Sequence, residues 1–215
     1  AQEKISQIRS ILQSNDCEYY ILTALDSIAW LLNLRGKDVL YTPLNLAYTI
    51  ITPHNKIELF IGKNKIQNIK FELEPYANFH SLKDIEDFIK KISPKSTIGL
   101  DKRKTPYFFE KICTETLLSF KYLEDPCLYL KAQKNKIELE GARNANLRDG
   151  VSVTKFCYWL KNKMIFAETD EILAAKKLLS LREKNELYYS LSFDAISAVG
   201  EHSALPHYRV TKDTN

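Results

Sequence analysis

The side chains that could do chemistry are few and scattered. Histidines stand at His54, His80, His202 and His207, and cysteines at Cys17, Cys113, Cys127 and Cys157. Only His202 and His207 are neighbours, within Gly200-Glu201-His202-Ser203-Ala204-Leu205-Pro206-His207. Glu201, His202 and His207 carry ligand-type atoms. A loop containing Pro206 does not fix tetrahedral geometry, however, and neither helical spacing nor a fourth ligand supports a metal site there. Ordinary polar loop residues are the simpler reading. His54 falls in an expected hairpin turn and His80 in an expected helix lead-in, where surface or capping roles suffice.

Other chemistries find no footing. There is no Gly-rich phosphate loop, no Gly-x-Ser-x-Gly elbow and no cysteine in a cationic, activating setting. The cysteines form no Cys-x-x-Cys pair and sit among apolar or helical neighbours, as reduced thiols of a cytoplasmic protein would. Arg35-Gly36-Lys37-Asp38 reads as a glycine turn with a surface ion pair, and Trp30 as core. Lys102-Arg103-Lys104 is the densest basic cluster, read as a solvated loop. With 31 Lys+Arg against 27 Asp+Glu the net charge is only +4, which is not the footprint of a nucleic-acid binder. The first residues lack a signal-peptide layout, and no apolar run reaches the length of a membrane span.

The elements that must position these residues alternate. Ile5, Ile8, Ile11 and Leu12 share one helical face, predicting a helix over 3–13 that Asn15-Asp16 breaks. Tyr19 to Thr23 reads as a buried strand, followed by a short helix that Asp26 is placed to cap. Leu46 to Ile51 and Ile57 to Ile61 form a hairpin whose turn holds Pro53 and Asn55. A helix carries Leu82, Ile85, Phe88, Ile89 and Ile92 and stops at Ser93-Pro94. Thr97 to Leu100 is a strand, and Pro106 to Ser119 a helix with proline in its first turn. The result is an α/β domain with a mixed sheet flanked by helices.

The register changes near Gln133, and the boundary falls at about 126–136, giving parts 1–132 and 133–215. A long helix from Lys136 to Met164 carries Val153, Phe156, Cys157, Leu160 and Met164 on one face, interrupted by Gly141 and Gly150. Thr169-Asp170-Glu171 opens a second helix to about Arg182, acidic where the helix dipole favours it. Tyr188 to Phe193 reads as a strand, and 196–200 as a loop.

Several of these segments resemble the Xaa-Pro aminopeptidases of the creatinase/pita-bread metallopeptidase family. The most specific is Ala29-Trp30-Leu31-Leu32-Asn33-Leu34-Arg35-Gly36, within a match over Leu22–Asp38. The hairpin continues it. Glu138-Leu139-Glu140-Gly141-Ala142-Arg143-Asn144-Ala145, Arg148-Asp149-Gly150-Val151 and Thr169-Asp170-Glu171-Ile172 resemble the first two helices of the catalytic domain. Leu191 to Ser197 and Ala204-Leu205-Pro206-His207-Tyr208 resemble the strand and loop that follow. The match is weak from about Ile66 to Leu130.

The resemblance implies a creatinase N-terminal-like domain followed by the opening of a pita-bread domain. It also implies hydrolysis of the bond between an N-terminal residue and a following proline. Two divalent metal ions, typically manganese, would activate the water. The family's ligands (two Asp, one His and two Glu) follow the His-Tyr motif, so none is expected in this chain, which alone should be inactive. His207 matches the family histidine that faces the substrate and balances proton or charge there. Glu201-His202-Ser203 stands where the family has a glycine and a small residue, and the family's proline after His-Tyr is replaced within Arg209-Val210-Thr211-Lys212. The partners implied are peptides with proline in the second position, a second copy in a homodimer, and a separate catalytic half if the enzyme is split. A peptidase-like module that has lost catalysis and binds peptides or a partner protein is the rival reading. Without the rest of the fold, apolar surface should be exposed around Val153–Leu160.

Overall fold

The computed structural model describes residues 1–53, 56–165 and 169–214, with the side chains of Met164 and Ile165 left aside. It contains two compact units, Ala1–Gln133 and Lys134–Asn215.

The first unit contains α1 (Gln2–Ser14), β1 (Tyr19–Leu22), α2 (Leu25–Leu32), β2 (Ala47–Ile51), β3 (Ile57–Ile61), α3 (Lys63–Leu73) and β4 (Ala77–His80). It continues with α4 (Ile85–Ile89), β5 (Thr97–Leu100), α5 (Tyr107–Glu115), β6 (Ser119–Tyr122) and α6 (Cys127–Ala132). The strands form one six-stranded sheet, ordered β4-β3-β2-β1-β5-β6. The β1–β2 and β2–β3 pairs are antiparallel, and β1–β5, β3–β4 and β5–β6 are parallel. This is the mixed sheet expected from one hairpin among crossovers.

Strand alternation sends side chains to two cores. Tyr20, Leu22, Ile57, Leu59 and Ile61 pack with residues of α1, α2 and α6 on one face, while Ile21, Ile50, Phe60, Ile98 and Leu100 meet α4 and α5 on the other. Gly99 lies opposite Tyr20 in the register, and a Cβ on it would come within 2.6 Å of the Tyr20 ring. Because Tyr20 is fully buried, no side chain fits there.

Several elements differ from the sequence reading. The helix expected to reach Ser119 stops at Glu115. Leu117 adopts φ 58°, and Leu118 N–H reaches Cys113 O at 2.9 Å while Leu117 N–H reaches Thr114 O at 3.2 Å. That is a Schellman stop built without glycine, and it frees Ser119–Tyr122 to join the sheet. Helix α3, strand β4 and helix α6 had no counterpart in the reading. Asp26 does not cap α2, which begins at Leu25 after Ala24; its carboxylate pairs with Lys131 of α6 instead. Asp38 finds its ionic partner in Lys65 of α3, beyond the glycine turn, and also accepts Leu46 N–H at 2.8 Å. His80 is a strand residue rather than a helix lead-in. Its Nε2 lies 2.5 Å from Glu58 Oε2, and its ring stacks on Phe60. His54 and Asn55 of the hairpin turn lie outside the described residues.

Beyond the carboxyl ends of β5 and β6 a carboxylate network is buried. Asp125 accepts the Ser27 hydroxyl at 2.5 Å, Lys104 Nζ at 3.2 Å and Cys127 N–H at 2.9 Å. Its own N–H donates to Asp101 Oδ2 at 2.9 Å. Burial lowers the Lys104 pKa, but the hydrogen bond and charge of Asp125 outweigh it and hold the amine above its usual value. The basic loop is exposed throughout, with the Lys104 amine meeting a buried carboxylate.

The second unit is built on α7 (Lys136–Ile165) and α8 (Glu171–Arg182), which pack on each other. Asn135 and Glu138 cap α7 reciprocally, each backbone N–H donating to the other's side chain at 2.9 Å. Asp149 receives Arg182 at 2.6 and 3.0 Å, and the Ser152 hydroxyl donates to Leu181 O at 3.3 Å. Residues 188–193 form no strand among the described residues, since both neighbouring elements are helical and offer no ladder partner. Of the expected apolar face, Val153, Phe156 and Leu160 are half-buried, whereas Cys157 is exposed. None of the four cysteines is in a disulfide.

Apart from their chain neighbours and the backbone of their own helix, Gly141 and Gly150 have nothing within 4 Å of the position a Cβ would take. No close approach therefore requires them, and each only costs helix propensity. Gly150→Ala should raise the stability of the second unit by about 0.5–1 kcal/mol, read as a higher thermal midpoint. A lower midpoint would mean that this face must admit another backbone.

Candidate functional site

Of the residues singled out by type, His80 and three of the cysteines lie in the first unit, whereas His202 is brought to the N-terminus of α8. Asp170 is its N-cap, accepting Leu173 N–H at 2.6 Å, and leaves Glu171 in the first turn. Glu171 points inward and is only 5% exposed. One carboxylate oxygen accepts Val199 N–H at 2.7 Å and contacts His202 Nδ1 at 3.0 Å. The other accepts the Tyr208 hydroxyl at 2.7 Å. Tyr208 is buried, its ring stacked on His202 with centroids 4.7 Å apart, and Thr214 Oγ1 lies 3.1 Å from its hydroxyl.

These contacts close the segment 199–208 onto the helix. A 3-10 turn over Gly200–Ala204 starts from Gly200 at φ 57°, a conformation that glycine adopts without strain. His202 N–H donates to Val199 O, Leu205 N–H to His202 O and Tyr208 N–H to Leu205 O, at 3.1–3.3 Å. The 3-10 repeat itself ends at Ala204, and Leu205 is extended, so the later bonds close turns rather than continue a helix. His207 lies within the last of these turns. It is exposed and held at φ 55°, a left-handed conformation uncommon for a non-glycine residue.

Glu201, His202 and His207, which carry ligand-type atoms, do not come together as one metal-holding group. Glu201 is exposed and His202 Nδ1 is committed to Glu171. Among the described residues no three His, Cys, Asp or Glu side chains lie together as a metal site would need. The described residues therefore assemble no set that would fit a dinuclear metal centre.

Beside the loop lies a cleft of about 590 Å³ whose walls include Phe156, Leu160, Ala174, Leu178, Ile196 and Val199, with Glu171 among its lining. Sequence reasoning gave Glu171 only a helix-dipole role. A usable signal was present, since Glu171, Ala174 and Leu178 fall at i, i+3 and i+7, placing a carboxylate in an apolar stripe.

Burial raises the Glu171 pKa, but the Tyr208 hydroxyl, His202 and Val199 N–H outweigh it and hold the carboxyl below its ordinary value. A folded-state pKa below the unfolded one stabilises above the unfolded value, and that contribution is lost as pH falls through the folded one. The loop should thus stay docked at neutral pH and loosen on acidification below about pH 4.3, the ordinary glutamate value. The Tyr208 ring resonances report this; if they held their positions through the acid range, the carboxylate would not be the anchor.

Comparison with known proteins covers both units. The family model described as the creatinase/prolidase N-terminal domain matches residues 1–138. A probable Xaa-Pro aminopeptidase P of Aspergillus fumigatus is 34% identical over 99% of this chain and 34% of its own length. The corresponding protein of Talaromyces stipitatus is also 34% identical, over 98% of this chain. The chain thus spans about a third of the length of these curated relatives. Among solved structures, an X-prolyl aminopeptidase of Caenorhabditis elegans, described as a cytosolic enzyme with a di-nuclear active site, superposes with a TM-score of 0.90. It is 30% identical and is matched over 99% of this chain and 36% of its own. A prolidase of Pyrococcus furiosus at 20% identity and a TM-score of 0.67 shares the fold.

Proposed function

This chain belongs to the creatinase/prolidase N-terminal domain family, and we propose on that premise that it is part of a metal-dependent Xaa-Pro aminopeptidase. Such an enzyme removes an N-terminal residue that precedes proline. One observation carries the reading: the similarity to the solved X-prolyl aminopeptidase runs through 99% of the chain and so includes the loop with His207. His207 faces the peptide there, and its imidazole donates to the charge that develops on the scissile group.

Two divalent ions, manganese by the family resemblance, supply a water of lowered pKa and an electrophile for the peptide carbonyl when bound. By the family resemblance their ligands follow the His-Tyr motif at His207-Tyr208, and positions after 215 would hold them. On this reading the chain alone is inactive, and the site is completed by further sequence or by a separate catalytic half. The working protein is cytoplasmic, like the cytosolic relative, and pairs as a homodimer. Among the described residues no helix is long and apolar enough to cross a membrane.

A calorimetric titration of the 215-residue chain with Mn²⁺ tests where the metals belong. No pair of tight sites is expected, and two of them would move the metal centre into this chain and overturn the assignment. The departures at Glu201-His202-Ser203 favour one second reading, a peptide-binding module without catalysis. Retained binding of an Xaa-Pro peptide by a complete but inactive protein would establish it.

A further inference from the structure

We propose that Glu171 is a positioning residue that sets the pose of His207 by gripping the loop at Val199, His202 and Tyr208. The claim that the posed residue is His207 rests on the substrate-facing reading above; the grip itself does not.

The geometry is that of a clamp. A single buried carboxylate receives three groups from a stretch of ten residues: the Val199 N–H at its start, His202 in its middle and the Tyr208 hydroxyl at its end. Both oxygens are used, so neither can turn away without losing a partner. The His202–Tyr208 stack ties the middle of the loop to its end without involving the backbone. His207 is the residue immediately before the last grip point, and its left-handed backbone needs its neighbours fixed to persist. His202 stands where the family resemblance leads one to expect a small residue. The structure gives it an assigned place, donating from Nδ1 to Glu171 and filling the space against the Tyr208 ring.

That contact has a chemical signature. A carboxylate only accepts, so a neutral His202 must carry its proton on Nδ1 and leave Nε2 bare. Long-range ¹H–¹⁵N correlation spectra of the labelled 215-residue chain read this tautomer directly. The Nδ1–H form is expected for His202 in the unsubstituted chain and in Glu171→Gln, whose amide oxygen can accept the same N–H. In Glu171→Ala, His202 should turn to the Nε2–H form, Val199 amide exchange should accelerate at least about tenfold, and the His207 resonances should move. An Nε2–H His202 in the unsubstituted chain would overturn the clamp even if the alanine variant failed to fold. Unmoved His207 resonances in a folded His202→Ala chain would overturn the link to His207. In the assembled enzyme, His202→Ala should lower kcat about tenfold with KM held. If the unsubstituted assembly cleaves no Xaa-Pro peptide while the tautomer is as expected, the functional reading fails and the clamp stands.

Discussion

Replacing His207 by alanine is expected to lower kcat/KM for an Xaa-Pro peptide by about 10²–10⁴ in the assembled, manganese-loaded enzyme. The loss should fall on kcat, because the imidazole stabilises charge that grows only as the scissile bond is attacked. His207→Gln, which keeps an amide donor, should retain more activity than alanine. Stability should hardly change, since His207 is exposed. Steady-state kinetics separate the outcomes: an unchanged kcat would remove His207 from the chemistry, and a pure rise in KM would leave it a binding role only.

Replacing Asp125 by alanine is expected to cost the first unit about 3 kcal/mol. Its side chain is 1% exposed and satisfies the Ser27 hydroxyl, the Lys104 amine and the Cys127 amide together. Truncation leaves a fully buried hydroxyl and a buried N–H without an acceptor, each a desolvated group with nothing in exchange. Lys104 is about one third exposed and can turn to water, which holds the figure at the lower end of the range for broken buried pairs. Asp125→Asn keeps one acceptor oxygen and should lose less. Urea unfolding followed by far-ultraviolet circular dichroism measures both. A change under about 0.5 kcal/mol, the level of a surface substitution, would show that the network carries no weight.

The same physics explains what could be read from the sequence. The hairpin was legible because two apolar β-branched runs flank a Pro-containing turn, and the fully buried β3 paired with β2 as that pattern demands. Helix α1 was legible because Ile5, Ile8 and Leu12 keep one face and all are buried. The stop of α5 was not, because the usual glycine is absent and Leu117 takes the left-handed position. A helix read on to Ser119 takes the first residue of β6, and that edge strand goes unread. Helix α3 escaped because its sequence is mostly polar and only Leu73 is buried. Strand β4 is a four-residue element whose His80–Glu58 contact depends on a partner strand twenty residues away. At the candidate site, His207 was visible only through its motif. Glu171 could not be chosen from sequence as the organiser of the loop, because its three partners lie 28, 31 and 37 residues further on.

The most direct measurement adds the catalytic segment that follows the His-Tyr motif in full-length relatives to this chain, with Mn²⁺, and follows release of the N-terminal residue from an Xaa-Pro peptide. Cleavage is predicted when both pieces are present, in trans or as one continuous protein, and none from either piece alone. Silence from the mixture and from the continuous protein alike, with the peptide still bound, would contradict the proposal that this chain is part of an Xaa-Pro aminopeptidase.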